Sequence, residues 1–307
     1  MNALQRLVRA ELAQPVQAEV ASFARAIAGH HGNASLAVLF YGSCLRSSEL
    51  AGQMLDFYLI VDDYRRAYDR RWLAVANRLL PPNVFPMQHR GLMAKYAVLS
   101  LADFRRLASS RTLNVSVWAR FAQPARLVWA ASDPIARDVA DAVAGAAPAL
   151  LKAARPLLED RLAPLDYWRG AFALTYGAEL RAERRGRAGS IVDHEQQRYH
   201  DFLMPSLEAA GIGARLEGGM LVMDALARPV RRAGGLTWLL RRAQGKLLSV
   251  LRLIKASATY AGGIDYLAWK INRHAGTTIE IRPWQRRFPL VGALSLLPRL
   301  LRGGAVR

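Results

Sequence analysis

The feature that most constrains the fold is an acidic residue inside an apolar segment. Residues 54–62, MLDFYLIVD, combine β-branched and aromatic side chains with Asp56 near their start, which predicts a strand. Residues 34–43, ASLAVLFYGS, predict a preceding strand that ends in the turn Gly42-Ser43. A carboxylate is costly to bury unless a cation or hydrogen-bond donors stabilise it. The sequence therefore predicts two successive strands with a polar site where they meet.

The rest of the first 135 residues alternates between strand and helix patterns. Further strands are predicted at 91–101 and 126–132, and helices at 64–80 and 102–110. The segment PPNVFP, residues 81–86, breaks the first of these helices. This alternation predicts a mixed α and β domain.

Beyond residue 135 the composition changes. The chain becomes rich in alanine, leucine and arginine, which predicts consecutive helices, with weak strand character only at 214–226. We therefore expect an α+β protein with a mixed-sheet domain at 1–135, a mostly helical domain at 136–233 and a basic helical region at 234–307.

Composition limits the classes of partner. The 307 residues include 43 Lys and Arg against 24 Asp and Glu, a formal net charge of +19, which favours nucleic acid, anionic membranes or phosphate-rich substrates. The single cysteine, Cys44, excludes an internal disulfide framework and a cysteine-based zinc cluster. No run reaches the roughly 18–20 uncharged apolar residues of a membrane span, so a soluble or peripheral protein is expected.

The C-terminal third predicts contact with a membrane surface. Residues 241–255, RRAQGKLLSVLRLIK, alternate cations and aliphatic side chains, and residues 289–303, PLVGALSLLPRLLRG, are apolar with arginines. Such a helix suits the surface of an anionic leaflet, although a helix packed on the protein body would show the same pattern. Aromatic residues are not interleaved with the cations as single-stranded nucleic acid binding requires, so lipid is favoured over nucleic acid.

The turn and the acid together resemble the site of the polymerase-β-like nucleotidyltransferases. In that arrangement a Gly-Ser turn, here Gly42-Ser43, presents backbone N–H groups and a hydroxyl to a triphosphate, and carboxylates on the next strand hold Mg²⁺. Asp56 takes the first acidic position, and Tyr58 stands where a second acid is usual.

A more specific resemblance runs along nearly the whole chain. The segments FYGS and MLDF, followed by AKYAVLS at 94–100, ARFAQP at 119–124 and LTYGAELR at 174–181, resemble segments of the mitochondrial-type phosphatidate cytidylyltransferases, the translocator assembly and maintenance family. Residues 187–207 and 246–271 resemble its later helices. The chain differs from this family at Cys44, where glycine is usual, and at Glu179, where aspartate is usual.

The resemblance implies a polymerase-β-like domain, a helical and possibly winged-helix-like domain, and a reaction of CTP with phosphatidic acid that yields CDP-diacylglycerol and pyrophosphate. It implies Mg²⁺ as the cofactor, held by Asp56 and Glu179, which would also be the catalytic residues. The remaining implied site residues divide into a nucleotide-binding group, Gly42, Ser43, Tyr58, Lys95 and Arg120, and a group for phosphate or lipid, Arg181 and Arg187. The expected location is the cytoplasmic face of a membrane or, alternatively, the matrix side of the mitochondrial inner membrane.

Two other functions stay open at this stage. The first is a nucleotidyltransferase with a different acceptor, such as RNA, a protein or a small hydroxyl compound. The second is a non-catalytic membrane- or nucleic-acid-binding protein on a degenerate transferase fold, a reading that Tyr58 supports because it replaces an acid.

Overall fold

A computed structural model describes residues 1–45, 50, 52–178, 187–259 and 280–287. Within these residues the protein is α+β, with a mixed five-stranded sheet, many helices and a small three-stranded sheet. Two segments with predicted roles lie outside the described residues: 179–186, which carries predicted site residues, and the apolar segment 289–303, which was predicted to contact a membrane.

The larger sheet consists of β1 Ser35–Tyr41, β2 Met54–Val61, β3 Asn83–His89, β4 Leu92–Ser100 and β5 Ala125–Ala130. Their order across the sheet is β3-β4-β2-β1-β5. The β2 and β4 strands are parallel, and the other neighbouring pairs are antiparallel. The central strand β2 is therefore paired on both sides, and its side chains alternate between two covered faces.

Helices cover both faces of this sheet. They are α1 Ala3–Leu12, α2 Ala18–His30, α3 Tyr64–Ala67, α4 Arg71–Leu79, α5 Leu101–Leu107, α6 Ser116–Phe121, α7 Asp133–Ala144 and α8 Ala146–Ala154. One face of β2, with Phe57 and Leu59, packs in a cluster that includes residues of α2, α3 and α4. The other face, with Tyr58 and Ile60, belongs to a larger cluster with residues of α1 and of α5 to α8. Asp56 alternates with Phe57 and lies on the Tyr58 side.

The second half adds α9 Pro164–Tyr176, α10 Arg187–His194, α11 Gln196–Ala209, and the strands β6 Arg161–Leu162, β7 Ala214–Glu217 and β8 Met220–Met223. The three strands form an antiparallel sheet of order β6-β8-β7. Gly218 and Gly219 join β7 to β8 with φ of 57° and 78°, the left-handed conformation that a type I′ hairpin turn requires of both residues. The larger cluster continues into α9 and α11, so one core extends across residue 135.

A helix of 32 residues, α12 Arg228–Thr259, runs along the protein body. Its Trp238 indole donates a hydrogen bond to the carbonyl of Ala153 (2.7 Å), and its Arg252 guanidinium donates to that of Pro81 (2.8 Å). A short helix, α13 Pro283–Arg287, ends the described chain. No helix among the described residues is both long and apolar enough to cross a membrane.

The predicted strands at 34–43, 54–62, 91–101 and 126–132 are confirmed as β1, β2, β4 and β5. The single helix predicted at 64–80 is wrong, because Tyr68 adopts an extended conformation between α3 and α4. The segment 81–86 does end α4, but it also contains the start of β3, which the sequence did not predict.

Candidate functional site

The turn after β1 is built around a glycine. Gly42 has φ of 96°, a left-handed conformation that glycine adopts without steric cost, and its carbonyl accepts a hydrogen bond from the N–H of Leu45 (3.2 Å). A Cβ atom at this position would lie 3.0 Å from Oδ2 of Asp56. Glycine is therefore needed twice, for the turn and for the space that the carboxylate occupies. Ser43 is exposed on the outer side of the turn.

Sheet register brings the charged residues of the site together. Asp56 on β2 is paired with Tyr41 on β1 and with Lys95 on β4. Paired residues on neighbouring strands project from the same face, so Lys95 and Asp56 meet. Lys95 Nζ lies 3.1 Å from Asp56 Oδ1, with the lysine side chain 42 % exposed and the aspartate side chain 18 % exposed.

The contact between these two residues is an ion pair without good hydrogen-bond geometry. Oδ1 of Asp56 is inaccessible to water and has no hydrogen-bond partner, although the ammonium group of Lys95 is close. At this distance the two charges attract each other, but the carboxylate oxygen still lacks an aligned hydrogen-bond donor. Asp56, near the start of β2, thus places a buried acceptor oxygen beside the turn, next to the Lys95 ammonium group.

Cys44 lies under the turn and is not arranged as a nucleophile. Its thiol is buried and donates to the side-chain carbonyl of Gln53 (3.2 Å). Burial, and next the negative charge of Asp56, raise the pKa of the Cys44 thiol, which favours the less reactive protonated form. Gln53, which directly precedes β2, therefore links the start of β2 to the turn that follows β1.

An aromatic cluster packs next to the site. The Tyr58 ring is buried, with its centroid 5.3 Å from that of Tyr41 and 5.1 Å from that of Phe121. The guanidinium carbon of Arg120 lies 4.7 Å from the centroid of the Tyr41 ring, within the range of a cation–π contact. Arg120 is thereby held close to the residue that precedes Gly42. Tyr58 is therefore a core residue and offers no carboxylate to the site.

The structure thus brings together Gly42, Ser43, Asp56, Tyr58, Lys95 and Arg120, which the sequence analysis proposed for one site. Glu179 and Arg181 lie outside the described residues, and of Arg187 only the backbone, at the start of α10, is described. Two contributors were not predicted: Tyr41, which carries Arg120, and Gln53, which anchors Cys44. The position of Tyr41 directly before Gly42 was the available signal for the first.

The described residues fit a magnesium ion only in part. They contain no group of three or more His, Cys, Asp or Glu side chains that could hold a metal ion. Mg²⁺, however, is usually bound by one or two carboxylates together with substrate phosphates and water. Asp56, with a buried acceptor oxygen that has no aligned donor, supplies one such carboxylate.

Among known proteins, no family model matches this chain and no curated protein is significantly similar to it.

Proposed function

We propose that this protein is a nucleotidyltransferase of the polymerase-β-like type that transfers the cytidylyl group of CTP to phosphatidic acid. The observation that carries the proposal is the close approach of Gly42 to Asp56, which joins a glycine turn at the end of β1 to a carboxylate on the next strand. A turn without a side chain lets backbone N–H groups approach a phosphate, and a neighbouring carboxylate can hold the accompanying cation.

The architecture supports this proposal at two levels. The mixed sheet carries the turn at the end of one strand and the acid on its antiparallel neighbour, as the polymerase-β-like pattern requires. The order β6-β8-β7, with helices between β6 and the β7–β8 hairpin, is consistent with a winged-helix-like second module.

In the proposed reaction a phosphate oxygen of phosphatidic acid attacks the α-phosphorus of CTP. The bond from that phosphorus to the bridging oxygen of the β-phosphate breaks, and pyrophosphate leaves with the electron pair. Mg²⁺, when bound, would neutralise charge on the reacting phosphates, with Asp56 and Glu179 as its proposed ligands. Lys95 and Arg120 would hold the triphosphate by charge, and Gly42 and Ser43 would fix its position. The acceptor is already an oxyanion, so a strong general base is not required.

The outer face of α12 supports a membrane location for this reaction. Leu236, Leu239, Leu240, Leu247 and Leu251 are all exposed large apolar side chains on this one helix. Exposed cations, among them Arg232 and Lys246, accompany these leucines. A helix with exposed aliphatic side chains and cations fits the surface of an anionic leaflet. We therefore assign the protein to the periphery of a membrane, on the cytoplasmic face or on the matrix side of the mitochondrial inner membrane.

The decisive experiment is a transfer assay with α-labelled CTP, Mg²⁺ and phosphatidic acid vesicles. We expect labelled CDP-diacylglycerol from the wild type and a loss of more than about 100-fold in Asp56→Asn, since the variant removes a charged metal ligand. Asp138→Asn is the matched control, because Asp138 makes only a surface ion pair with Arg105. Absence of product with any divalent ion would overturn the assignment to lipid transfer.

A second function is favoured by two observations at the same site. Tyr58 is packed in the aromatic cluster and Lys95 already neutralises Asp56, which together suit a non-catalytic nucleotide- or anion-binding protein. Mg²⁺-dependent binding of CTP without turnover, measured by calorimetry and lost in Asp56→Asn, would select this function. Turnover with RNA or a hydroxyl compound in place of lipid would instead select a transferase with another acceptor.

A further inference from the structure

Helix α4 exposes large apolar side chains on its outer side. On α4, the side chains of Trp72, Val75 and Leu79 are 43 %, 57 % and 78 % exposed. Their spacing of three and four residues places them on one side of the helix. A surface helix normally turns such a stripe toward the core. Here the stripe faces outward, so it is available to a partner.

Hydrogen bonds fix this orientation from the inner side of α4. The buried amide of Asn77 donates to the carbonyl of Val98 (3.0 Å) and to the Tyr68 hydroxyl (3.0 Å), and it accepts from the N–H of Asn83 (2.6 Å). Rotating the helix to bury Trp72 and Leu79 would break all three bonds inside the protein. A buried amide left without partners is destabilising, so the inner side of α4 holds the stripe outward.

The surface next to the stripe is positively charged. An open groove of about 620 Å³ between α3 and α4 is lined by Arg65, Arg71 and Arg78, with Asp69 as its one acidic lining residue. Arg78 lies 3.9 Å from the carboxylate of Asp63. Among the described residues, no carboxylate is within ion-pair distance of Arg65 or Arg71. The groove therefore offers cations to an anionic group that the protein itself does not supply.

We propose that this α4 patch, defined as Trp72, Val75 and Leu79 with Arg65 and Arg71, docks on an anionic lipid bilayer. The tryptophan and the aliphatic side chains would enter the interface between headgroups and acyl chains, where tryptophan is favoured. The two arginines would contact lipid phosphates, which attract cations close to an anionic leaflet. The patch combines both requirements of interfacial binding on one short segment.

The composition of the patch disfavours two other occupants. A nucleic acid would pair with the arginines, but the exposed aliphatic side chains of Val75 and Leu79 would gain nothing from a phosphate backbone. A symmetric dimer through this patch would bring its cations together, because a two-fold interface joins the same positively charged surface on both subunits. A bilayer satisfies the apolar stripe and the cations together.

The location of the patch makes it an attachment surface and not a substrate site. Ala74 on the inner side of α4 packs in the cluster of Phe57, whereas Asp56 projects from the opposite face of the sheet. Lys255 and Arg252 of α12 donate to the carbonyls of Pro82 (2.8 Å) and Pro81 (2.8 Å), directly after α4. The C-terminal part of α12 thus lies beside the end of α4.

The test places a reporter at the most exposed position of the stripe. Leu79→Cys in the full chain is labelled with an environment-sensitive fluorophore, which is selective because the native Cys44 is only 4 % exposed. The control is the same label at Leu216→Cys, an exposed apolar position of β7. Vesicles of phosphatidylcholine, with and without phosphatidic acid, carry brominated acyl chains as quenchers.

We expect the label at position 79, and not at 216, to shift to shorter wavelength and to be quenched on vesicles that contain phosphatidic acid. Trp72→Ser with Leu79→Ser should weaken vesicle binding by at least about 10-fold, since it removes two exposed apolar side chains that would enter the bilayer. Leu216→Ser should bind as the wild type does. Arg65→Gln with Arg71→Gln should remove most of the preference for phosphatidic acid.

The proposal is overturned if the label at 79 stays in water while the protein is bound to vesicles. It is also overturned if that label responds to protein concentration without lipid, which indicates a second copy, or to added RNA, which indicates nucleic acid. Binding of CTP by the Trp72→Ser, Leu79→Ser variant is measured alongside. Loss of vesicle binding with CTP binding retained would support docking at α4 separately from the proposed transferase activity, because docking at α4 requires no nucleotide and no turnover.

Discussion

At the scale of single residues, the candidate site depends on the absence of one side chain. Gly42 both adopts φ of 96° and leaves the space that Oδ2 of Asp56 occupies. Lys95 then neutralises the carboxylate from the neighbouring strand, 3.1 Å from Oδ1. Asp56 therefore contacts both Gly42 and Lys95, and a side chain added at the glycine would displace the carboxylate directly.

Gly42→Ala should reveal this dependence, with Gly52→Ala as its matched control. Both glycines have positive φ, but a Cβ atom at Gly52 would meet no atom within 4 Å. The control therefore reports backbone strain alone, about 1 kcal/mol or somewhat more. Gly42→Ala should cost more than the control in urea unfolding and should also weaken CTP binding, because the added methyl group displaces Asp56. Equal costs for the two variants, with CTP binding retained, would contradict this account.

At the scale of elements, the strands were predictable and their lateral pairing was not. β1, β2, β4 and β5 follow from short β-branched and aromatic runs bounded by turn residues. β3 was missed because prolines at 81, 82 and 86 normally end a strand. Pro86 is tolerated because β3 is an edge strand of the sheet, where a missing N–H need not leave a neighbour unpaired.

The sequence identified the members of the site but not their contacts. Asp56 and Lys95 were each recognisable as a charge in an apolar strand. Their ion pair depends on the parallel register of β2 with β4, which is set by a connection through α3, α4 and β3. Parallel pairing of this kind is non-local, so no spacing in the sequence encodes it. The outward stripe of α4 was similarly hidden, since its period alone predicts an ordinary core-facing helix.

The anchoring of α12 leads to a prediction about pH. Burial, and next the charge of Arg252, lower the pKa of Lys255 to about 7, although its ammonium group donates to the carbonyls of Leu80 and Pro82. A lysine pKa that is lower in the folded protein than in the unfolded chain, where it is about 10.4, means that unfolding takes up a proton between these values. The contribution of Lys255 should therefore make the protein more stable as pH rises from about 7 to about 10.

The measurement is the free energy of unfolding in urea between pH 7 and pH 10 for the wild type and for Lys255→Met. The wild type should gain up to about 1.4 kcal/mol per pH unit relative to the variant, which is the limit for one proton. Lys152→Met, which removes an exposed lysine, should keep the slope of the wild type. Identical slopes in the wild type and Lys255→Met would show that the two carbonyls stabilise the charged lysine as well as water does.

At the scale of the whole molecule, the N-terminal helix connects the two halves of the chain. The carboxylate of Glu11 on α1 binds the guanidinium of Arg198 on α11, with a distance of 3.0 Å from Oε1 to Nη2 and side chains that are 9 % and 10 % exposed. Arg198 also donates to the carbonyl of Ala122 (3.1 Å) and lies 4.3 Å from the centroid of the Phe202 ring. The continuous core and this buried pair predict that the described body unfolds as one unit.

Glu11→Gln should therefore destabilise the protein by about 3–5 kcal/mol, because it leaves the Arg198 charge buried without its partner. Urea unfolding followed by circular dichroism should show a single transition with a lower midpoint. Asp138→Asn, which breaks the exposed pair with Arg105, should cost no more than about 1 kcal/mol and serves as the control. The double variant Glu11→Gln, Arg198→Met should be more stable than Glu11→Gln alone, since it removes the unpaired charge and replaces it with an apolar side chain. A double variant that is less stable than Glu11→Gln alone and than Arg198→Met alone would show instead that the contacts of Arg198 with Ala122 and Phe202, and not its charge, hold α11 against the N-terminal helix.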